Sequence, residues 1–267
     1  MNQLEKNILR WQKKPSSRRE DRVFIVEGIK MIRELPEERL LAVVASSGFM
    51  KENRFRVSDL EKHCLREKKD FLVVSDQEYA RLSDTKSPQG ILAVLRSYED
   101  TAAEILQKEN GLFVFLENLQ DPGNLGTIMR SAEAAGADGV ILNENSVDPY
   151  NPKVIRATMG SFFRMKFAVT PDLQETVRAF RKTGGTVYAA HLSGVKSYDA
   201  VPYTGKSAIL IGNESRGLSE QISKEAGTLI RIPMAGKVES LNAAMAATIL
   251  LFEAMRQRRN GAEIPKT

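Results

Sequence analysis

The chain has 267 residues, 42% of them apolar and 27% charged, and carries a formal net charge of +5, the profile of a soluble globular protein with room for two modest domains or one large one. Its apolar runs fall short of the ~20 residues that a membrane-spanning helix needs, and the N-terminus lacks the apolar segment of a secretory signal, so the cytoplasm is the expected compartment. A single cysteine, Cys64, excludes an internal disulfide; with only His63 and His191 beside it, the usual Cys/His zinc sets cannot be assembled, and no metal is expected.

In chain order, residues 1–22 read as a short helix carrying Leu4, Ile8 and Trp11, followed by a polar loop around Pro15-Ser16-Ser17. Val23–Val26 is a strand, and Glu27-Gly28 leads into an amphipathic helix to about Leu35, stopped at Pro36. Leu40–Ser46 is a strand, Ser58–Lys69 a helix, Phe71–Val74 a strand, Asp76–Leu82 a helical turn and Gly90–Leu95 a closing strand. This alternation predicts a small α/β domain over 1–97. Thr101–Glu109, rich in Ala, Glu and Lys, predicts a helical linker within 98–110.

The second domain, 111–267, opens with the apolar strand Leu112–Leu116. The loop Glu117–Asn124 feeds a helix from Leu125 to Ala135, ended by Gly136, and Val140–Leu142 is the next strand. Asp148–Phe163 is an irregular polar stretch with a helical turn. Strands at Met165–Val169, Thr186–Ala190, Ala208–Gly212 and Leu229–Ile232 then alternate with helices, the first of them Leu173–Thr183. Apolar strands in such alternation predict a parallel sheet covered on both faces.

Pro233 stops the last strand, because proline cannot donate to a ladder. Ser240 is placed to cap the helix that follows, where Leu241, Met245, Ile249 and Phe252 recur at helical spacing. Ala243–Phe252 is apolar almost all round, as in a buried helix. Its polar mouth beside an apolar floor suits a small ligand with one polar and one flat end.

Three loops follow strand ends: Asn118–Asn124, Gly212–Gly217 and Pro233–Asn242. In open α/β sheets that edge binds ligands, near a change in strand order. The first loop lacks Gly-x-Gly-x-x-Gly, and no Gly-x(4)-Gly-Lys-Ser/Thr occurs, which disfavours ordinary dinucleotide and P-loop chemistry. Taken singly, Asn124 could be a helix cap, Arg130 a surface arginine and Glu214 a turn carboxylate; the residues alone leave these readings open beside a direct role.

The first 99 residues hold 20 of the 39 basic residues and 16 of the 34 acidic ones. Residues 1–22 alone hold seven basic against three acidic, so the excess sits in an N-terminal segment with Lys13, Lys14, Arg18, Arg19, Arg22 and an included Trp11. A basic run with an aromatic is either a solvated face or a footprint for phosphate backbones.

Glu117-Asn-Leu-Gln-Asp-Pro-Gly-Asn-Leu-Gly-Thr-Ile-Met-Arg130 resembles the first motif of the SpoU/TrmH family of RNA ribose 2′-O-methyltransferases. Ile211-Gly-Asn-Glu-Ser-Arg-Gly-Leu218 resembles the second, and Ile232-Pro-Met through Ser240-Leu-Asn242 the third, in family order. Phe24-Ile-Val-Glu-Gly28 and Ser87-Pro-Gln-Gly90 are similar to the substrate-binding domain that often precedes that catalytic domain. The resemblance implies a SPOUT domain, a parallel sheet flanked by helices with a deep trefoil knot, preceded by a small α/β RNA-binding domain resembling a ribosomal protein. It also implies a homodimer and S-adenosyl-L-methionine as cofactor.

The family's cofactor contacts fall on Gly212, Ile232 and Leu241, with Met234 and Ser240 close by. Its polar reaction-site residues fall on Arg130, Asn124, Glu214 and Asn242. Two positions depart from the family pattern: Ser215 and Ala244 stand where glycine and serine are frequent. The implied substrate is structured RNA, ribosomal before transfer RNA, with the N-terminal basic residues as its contacts. A non-catalytic RNA-binding or ribosome-assembly factor on the same fold, a tRNA enzyme and an antibiotic-resistance methyltransferase are the alternatives.

Overall fold

Runs of branched and aromatic residues set the strands, and short side-chain caps set most of the helices between them. The computed structural model describes residues 2–259. The first half runs α1 (Gln3–Lys13), α2 (Pro15–Asp21), β1 (Val23–Glu27), α3 (Ile29–Ile32), β2 (Leu40–Ser46), α4 (Ser47–Arg66), β3 (Asp70–Val74), α5 (Asp76–Leu82) and β4 (Ile91–Arg96). The second continues α6 (Ala102–Ile105), β5 (Leu112–Leu116), α7 (Pro122–Ala134), β6 (Gly139–Asn143), α8 (Pro152–Ala157), β7 (Phe167–Thr170), α9 (Leu173–Lys182) and β8 (Thr186–Ala190). It ends with β9 (Lys196–Ser197), β10 (Ser207–Ile211), α10 (Glu220–Ala226), β11 (Gly227–Arg231) and α11 (Ala243–Arg259).

The chain divides into two units, the first holding the residues through Tyr98 together with Tyr150–Phe163. Its sheet has the order β1-β4-β2-β3, with β4 antiparallel to both neighbours and β2 parallel to β3. Ile8 and Trp11 of α1 and Tyr79 and Leu82 of α5 pack on Ile25, Val44 and Leu92 from the strands. Tyr150–Phe163, expected inside the second domain, packs here instead: the rings of Tyr150 and Phe162 each lie 5.3 Å from Phe24 of β1. The sequence division at 97 and 111 is contiguous, whereas the packing is not.

Two helices differ from expectation for local reasons. Pro15 stands at the first turn of α2, where its missing N–H costs nothing, so the expected loop is helical. The second, α4, begins at Ser47, well before Ser58, because Ser46 accepts the Phe49 N–H and Asp76 accepts that of Gly48.

In the second unit the sheet order is β7-β6-β5-β10-β8-β11-β9, parallel throughout. Phe113 and Phe115 of β5 and Leu210 of β10 face α9 and α10, against Val177, Phe180 and Ile222. The alternate residues Val114 and Ile209 are equally buried and point to the opposite face. That face is left to α7 and α11, joined by a Ser131–Thr248 hydroxyl hydrogen bond of 2.8 Å. The expected linker helix is one turn, α6, whose Ile105 is buried where a Cβ on Gly139 would stand. Strand order runs outward in one direction from β5 and in the other from β10, so the crevice between their carboxyl ends is the switch point of the sheet.

Candidate functional site

The loops at that switch point are built by caps. Asp121, not Asn124, caps α7: its Oδ1 accepts the Asn124 N–H at 2.8 Å, and Pro122 takes the first turn. This leaves the Asn124 amide free to work outward. Asn242, not Ser240, caps α11, its Oδ1 accepting from the backbone of Ala244 and Met245 at 2.9 and 3.2 Å. After β10, Gly212 has no room for a side chain, since a Cβ would stand 2.3 Å from the Gly217 carbonyl carbon. Asn213 holds this turn with its Oδ1 and donates from Nδ2 to the Asn118 carbonyl at 2.8 Å.

Glu214 ties the pieces together. Its Oε1 accepts from the Asp121 backbone at 2.9 Å and from Asn124 Nδ2 at 3.0 Å, and its Oε2 from the Gln120 backbone at 3.1 Å. Asn242 Nδ2 then donates to Asn124 Oδ1 at 2.9 Å. Desolvation pushes the Glu214 carboxyl up, but the hydrogen bonds from Asn124, Asp121 and Gln120 outweigh it and hold the group below its usual range. Beneath this network, buried Glu117 accepts the Ser219 N–H and hydroxyl at 2.8 and 2.6 Å and fixes the base of the second loop.

Beside the network lies a cavity of about 530 Å³. Gly212, Ile232, Met234, Ser240 and Leu241, the five expected cofactor contacts, all line it, and so does Glu214. Its floor is apolar, from Ile211, Leu218, Ile230 and Ala246, and its mouth is polar. That volume and division suit one small molecule with a flat ring system and a charged arm, so the residues present fit S-adenosyl-L-methionine. Ser215 lies at the rim and Ala244 is buried under the Asn242 cap, so neither departure obstructs the cavity. His191 and Leu192 also line it; the sequence reading missed them, although an apolar residue just past a strand end was a usable signal.

The remaining expected residues are placed differently. Arg130 is exposed on α7, on the side that carries Gly123 and Thr127. It makes no hydrogen bond or ion pair with any described side chain. Lys13, Lys14, Arg19 and Arg22 are exposed in the first unit. Arg18 corrects the expectation of an RNA contact: it is 4% exposed and its guanidinium donates to the Trp11 carbonyl at 2.6 Å, a bond internal to the fold. Cys64 is buried, and burial pushes its thiol up, away from the nucleophilic form. Among the described residues no group of three or more His, Cys, Asp or Glu side chains could hold a metal ion, and no helix is long and apolar enough to cross a membrane.

Comparison with known proteins matches residues 111–252 to the SpoU rRNA Methylase family and residues 2–93 to the MRM3-like substrate binding domain. The chain is 30% identical over 237 residues to the 23S rRNA (guanosine(2553)-2′-O)-methyltransferase RlmP of Bacillus subtilis, covering 86% of this chain and 87% of that one. It resembles the AdoMet-bound rRNA methyltransferase from Sinorhizobium meliloti with a TM-score of 0.84 and 32% identity, over 96% of this chain and 95% of that one. The SpoU methyltransferase AviRb from Streptomyces viridochromogenes, in complex with AdoMet, gives a TM-score of 0.84 at 27% identity, over 98% and 100%.

Proposed function

Because the chain belongs to the SpoU rRNA methylase family, we propose that it transfers a methyl group from S-adenosyl-L-methionine to a ribose 2′-hydroxyl of ribosomal RNA, in the cytoplasm, as a homodimer with a trefoil-knotted C-terminal domain. The observation that carries this reading is the joining of three sequence-distant loops by Glu214, Asn124 and Asn242 beside the cavity. A formed cavity next to an intact polar network supports an enzyme over a non-catalytic RNA-binding factor.

The cofactor supplies an activated methyl on sulfur. The chain's work is to hold a 2′-hydroxyl in line and to ease loss of its proton, and such positioning supplies up to ~7–11 kcal/mol in favourable cases. The network keeps Asn124 and Asn242 in fixed rotamers at the cavity's reactive side. Arg130 anchors an adjoining phosphate and stabilises the developing alkoxide; a guanidinium stays protonated, so it serves better as an electrostatic group than as a base.

Lys13, Lys14, Arg19 and Arg22 contact the RNA backbone from the first unit, and the 2′-hydroxyl distinguishes RNA from DNA. Two features favour ribosomal RNA: the substrate-binding domain match and the rRNA target named for the Bacillus subtilis relative. For the homodimer, support comes from α11, where Met245 and Phe252 are 62% and 41% exposed on the side opposite the buried Ala243, Ala247, Leu250 and Ala254, with Leu241 leading into it. Such an apolar stripe calls for a cover.

The test is to map ribose methylation in total RNA with and without the gene, and to restore the lost mark with purified protein and S-adenosyl-L-methionine. A mark lost from 23S rRNA is expected. An unchanged map, or a mark lost only from tRNA, would overturn the reaction or its target respectively.

A further inference from the structure

β6 ends in Asn143, and the turn that follows it reaches across to the loop after the neighbouring strand β5. Asn143 Oδ1 accepts the Asn118 N–H at 2.9 Å, and its Nδ2 donates to Asn118 Oδ1 at 2.8 Å. The Ser146 hydroxyl donates to Asn143 Oδ1 at 2.7 Å and accepts the Leu119 N–H at 3.1 Å. The Leu119 carbonyl accepts the Val147 N–H at 2.7 Å. One turn thus fixes the start of the first loop, by the backbone of Asn118 and Leu119 and by the Asn118 side chain.

Asn118 needs this hold. Its φ is 54°, in the left-handed region, which residues with a Cβ avoid and which asparagine enters with help from local side-chain hydrogen bonds. A left-handed residue redirects the chain after it. Next come Gln120 and Asp121, whose N–H groups both donate to Glu214. If Asn118 relaxed, those amides would turn away, and Glu214 would lose two of the donors that hold it beside Asn124. Asn143 itself is half-buried, and none of residues 143–147 lines the cofactor cavity. It lies on the opposite side of β5 from β10, so its influence on the network passes through Asn118.

Resting on the methyltransferase reading, we infer that Asn143 is a positioning residue for methyl transfer. It locks Asn118 left-handed, so that Gln120 and Asp121 aim their N–H groups at Glu214 and Asn124 keeps its rotamer. An asparagine that only tied off its own turn would leave those two amides, and the transfer rate, indifferent to its loss. Asn143 was not among the expected site residues.

Amide hydrogen exchange and single-turnover methyl transfer on the full-length protein test this together, the second with S-adenosyl-L-methionine and total RNA from cells lacking the gene. In Asn143→Ala the Gln120 and Asp121 amides are expected to exchange about tenfold faster. The Glu117 amide, bonded to the Ile211 carbonyl, is expected to be unchanged. Transfer is expected to fall about tenfold, with the cofactor Kd unaltered by calorimetry. Made in a Glu214→Ala background, the same substitution should cost less than about twofold, because the route it acts through is already cut. Asn143→Asp should recover most of the rate, since the Asn118 amide can turn over and donate to the carboxylate. Should Asn143→Ala fail to fold, Ser146→Ala carries the same test, with about threefold effects expected in both measurements. Unchanged exchange at Gln120 and Asp121 would overturn the inference, as would a full tenfold loss of rate persisting without Glu214. A wild-type protein that transferred no methyl group would overturn the methyltransferase reading instead, and the exchange result would still decide whether Asn143 aims the donors of Glu214.

Discussion

Asn242 reaches back 118 positions in sequence to donate its amide to the side-chain carbonyl of Asn124 at 2.9 Å. Each asparagine does two things. The oxygen of Asn242 caps α11 while its nitrogen holds Asn124, and Asn124 in turn passes its own nitrogen to Glu214. The orientation of every amide in the row is therefore set by the next, with a carboxylate at the end that can only accept.

The two ends of that hydrogen bond should respond differently to truncation. Asn124→Ala removes a network member but no cap, since Asp121 caps α7. Methyl transfer should fall on the order of 10²-fold, the usual consequence of a misplaced reactive group, with cofactor affinity and melting temperature nearly unchanged. Asn242→Ala should lose activity similarly and also about 1 kcal/mol of stability with its cap. Single-turnover rates and thermal melts on both variants check this; equal melting losses would show the cap assignment to be wrong.

Glu214 gives the network a pH signature. Its folded-state pKa is lowered, so its contribution is complete above the unfolded carboxylate range and disappears as pH falls through the lower, folded value. The stability difference between wild type and Glu214→Gln should be constant from neutral pH to about pH 5 and shrink below it. Thermal melts of both proteins across that range test it. A difference that grew on acidification would carry the wrong sign.

Arg130 separates charge from shape. Arg130→Lys keeps the positive charge and loses the planar fork that grips a phosphate or alkoxide from two sides. Transfer is expected to drop by about 10²-fold or more, with cofactor binding unaltered by calorimetry. Turnover at the wild-type rate would remove Arg130 from the mechanism.

Much of this was legible before any coordinates. The strands expected over Leu112–Leu116 and Ala208–Gly212 were plain as apolar runs, the second ending one residue earlier at Ile211, and the loops after them fell at the sheet edge as expected. The caps were less legible because two capping residues stood three apart. Asp121 and Asn124 both qualify, and Pro122 decides for Asp121, since proline prefers the first helical position. Ser240 lost to Asn242 for a tertiary reason: the amide that caps also bonds Asn124, which Ser240 could not do from two positions earlier. The placement of Tyr150–Phe163 could not be read either, because a polar stretch with three aromatics, Tyr150, Phe162 and Phe163, does not say which sheet those rings will meet.

Arg18 and Arg19 are neighbours with opposite fates. Arg18→Ala leaves the Trp11 carbonyl without its donor inside the fold and should cost about 1–3 kcal/mol. Arg19→Ala, at an exposed position, should leave stability alone. In RNA binding measured against salt, Arg19→Ala should reduce the slope of log affinity by about one, the release of one counterion. Arg18→Ala should leave that slope unchanged once the protein is folded. A reversed pattern would mean that Arg18 leaves its buried position to meet RNA.

The far end of α11 is fastened by Gln257, which accepts the Tyr203 N–H at 2.9 Å and donates to the Val201 carbonyl at 3.0 Å, and more extensively by Arg258. Arg258 donates to the carbonyls of Tyr203, Asn110, Gly111 and Gly205 at 2.9, 2.6, 3.3 and 2.5 Å. Partial burial pushes its guanidinium down from the usual arginine value, but a group that starts so high stays charged at neutral pH. It thus joins the last turns of the helix to two loops at the amino ends of β5 and β10. Arg258→Lys puts one ammonium where a fork met four oxygens and can satisfy only some of them. It should cost about 1–2 kcal/mol, and Arg258→Ala about 2–3 kcal/mol, from charge-assisted bonds lost. Hydrogen exchange should then show faster opening in the final turns of α11, with the amides after Asn242 protected as before. Uniform loosening along the helix would mean that packing against α7, rather than Arg258, sets the stability of that end.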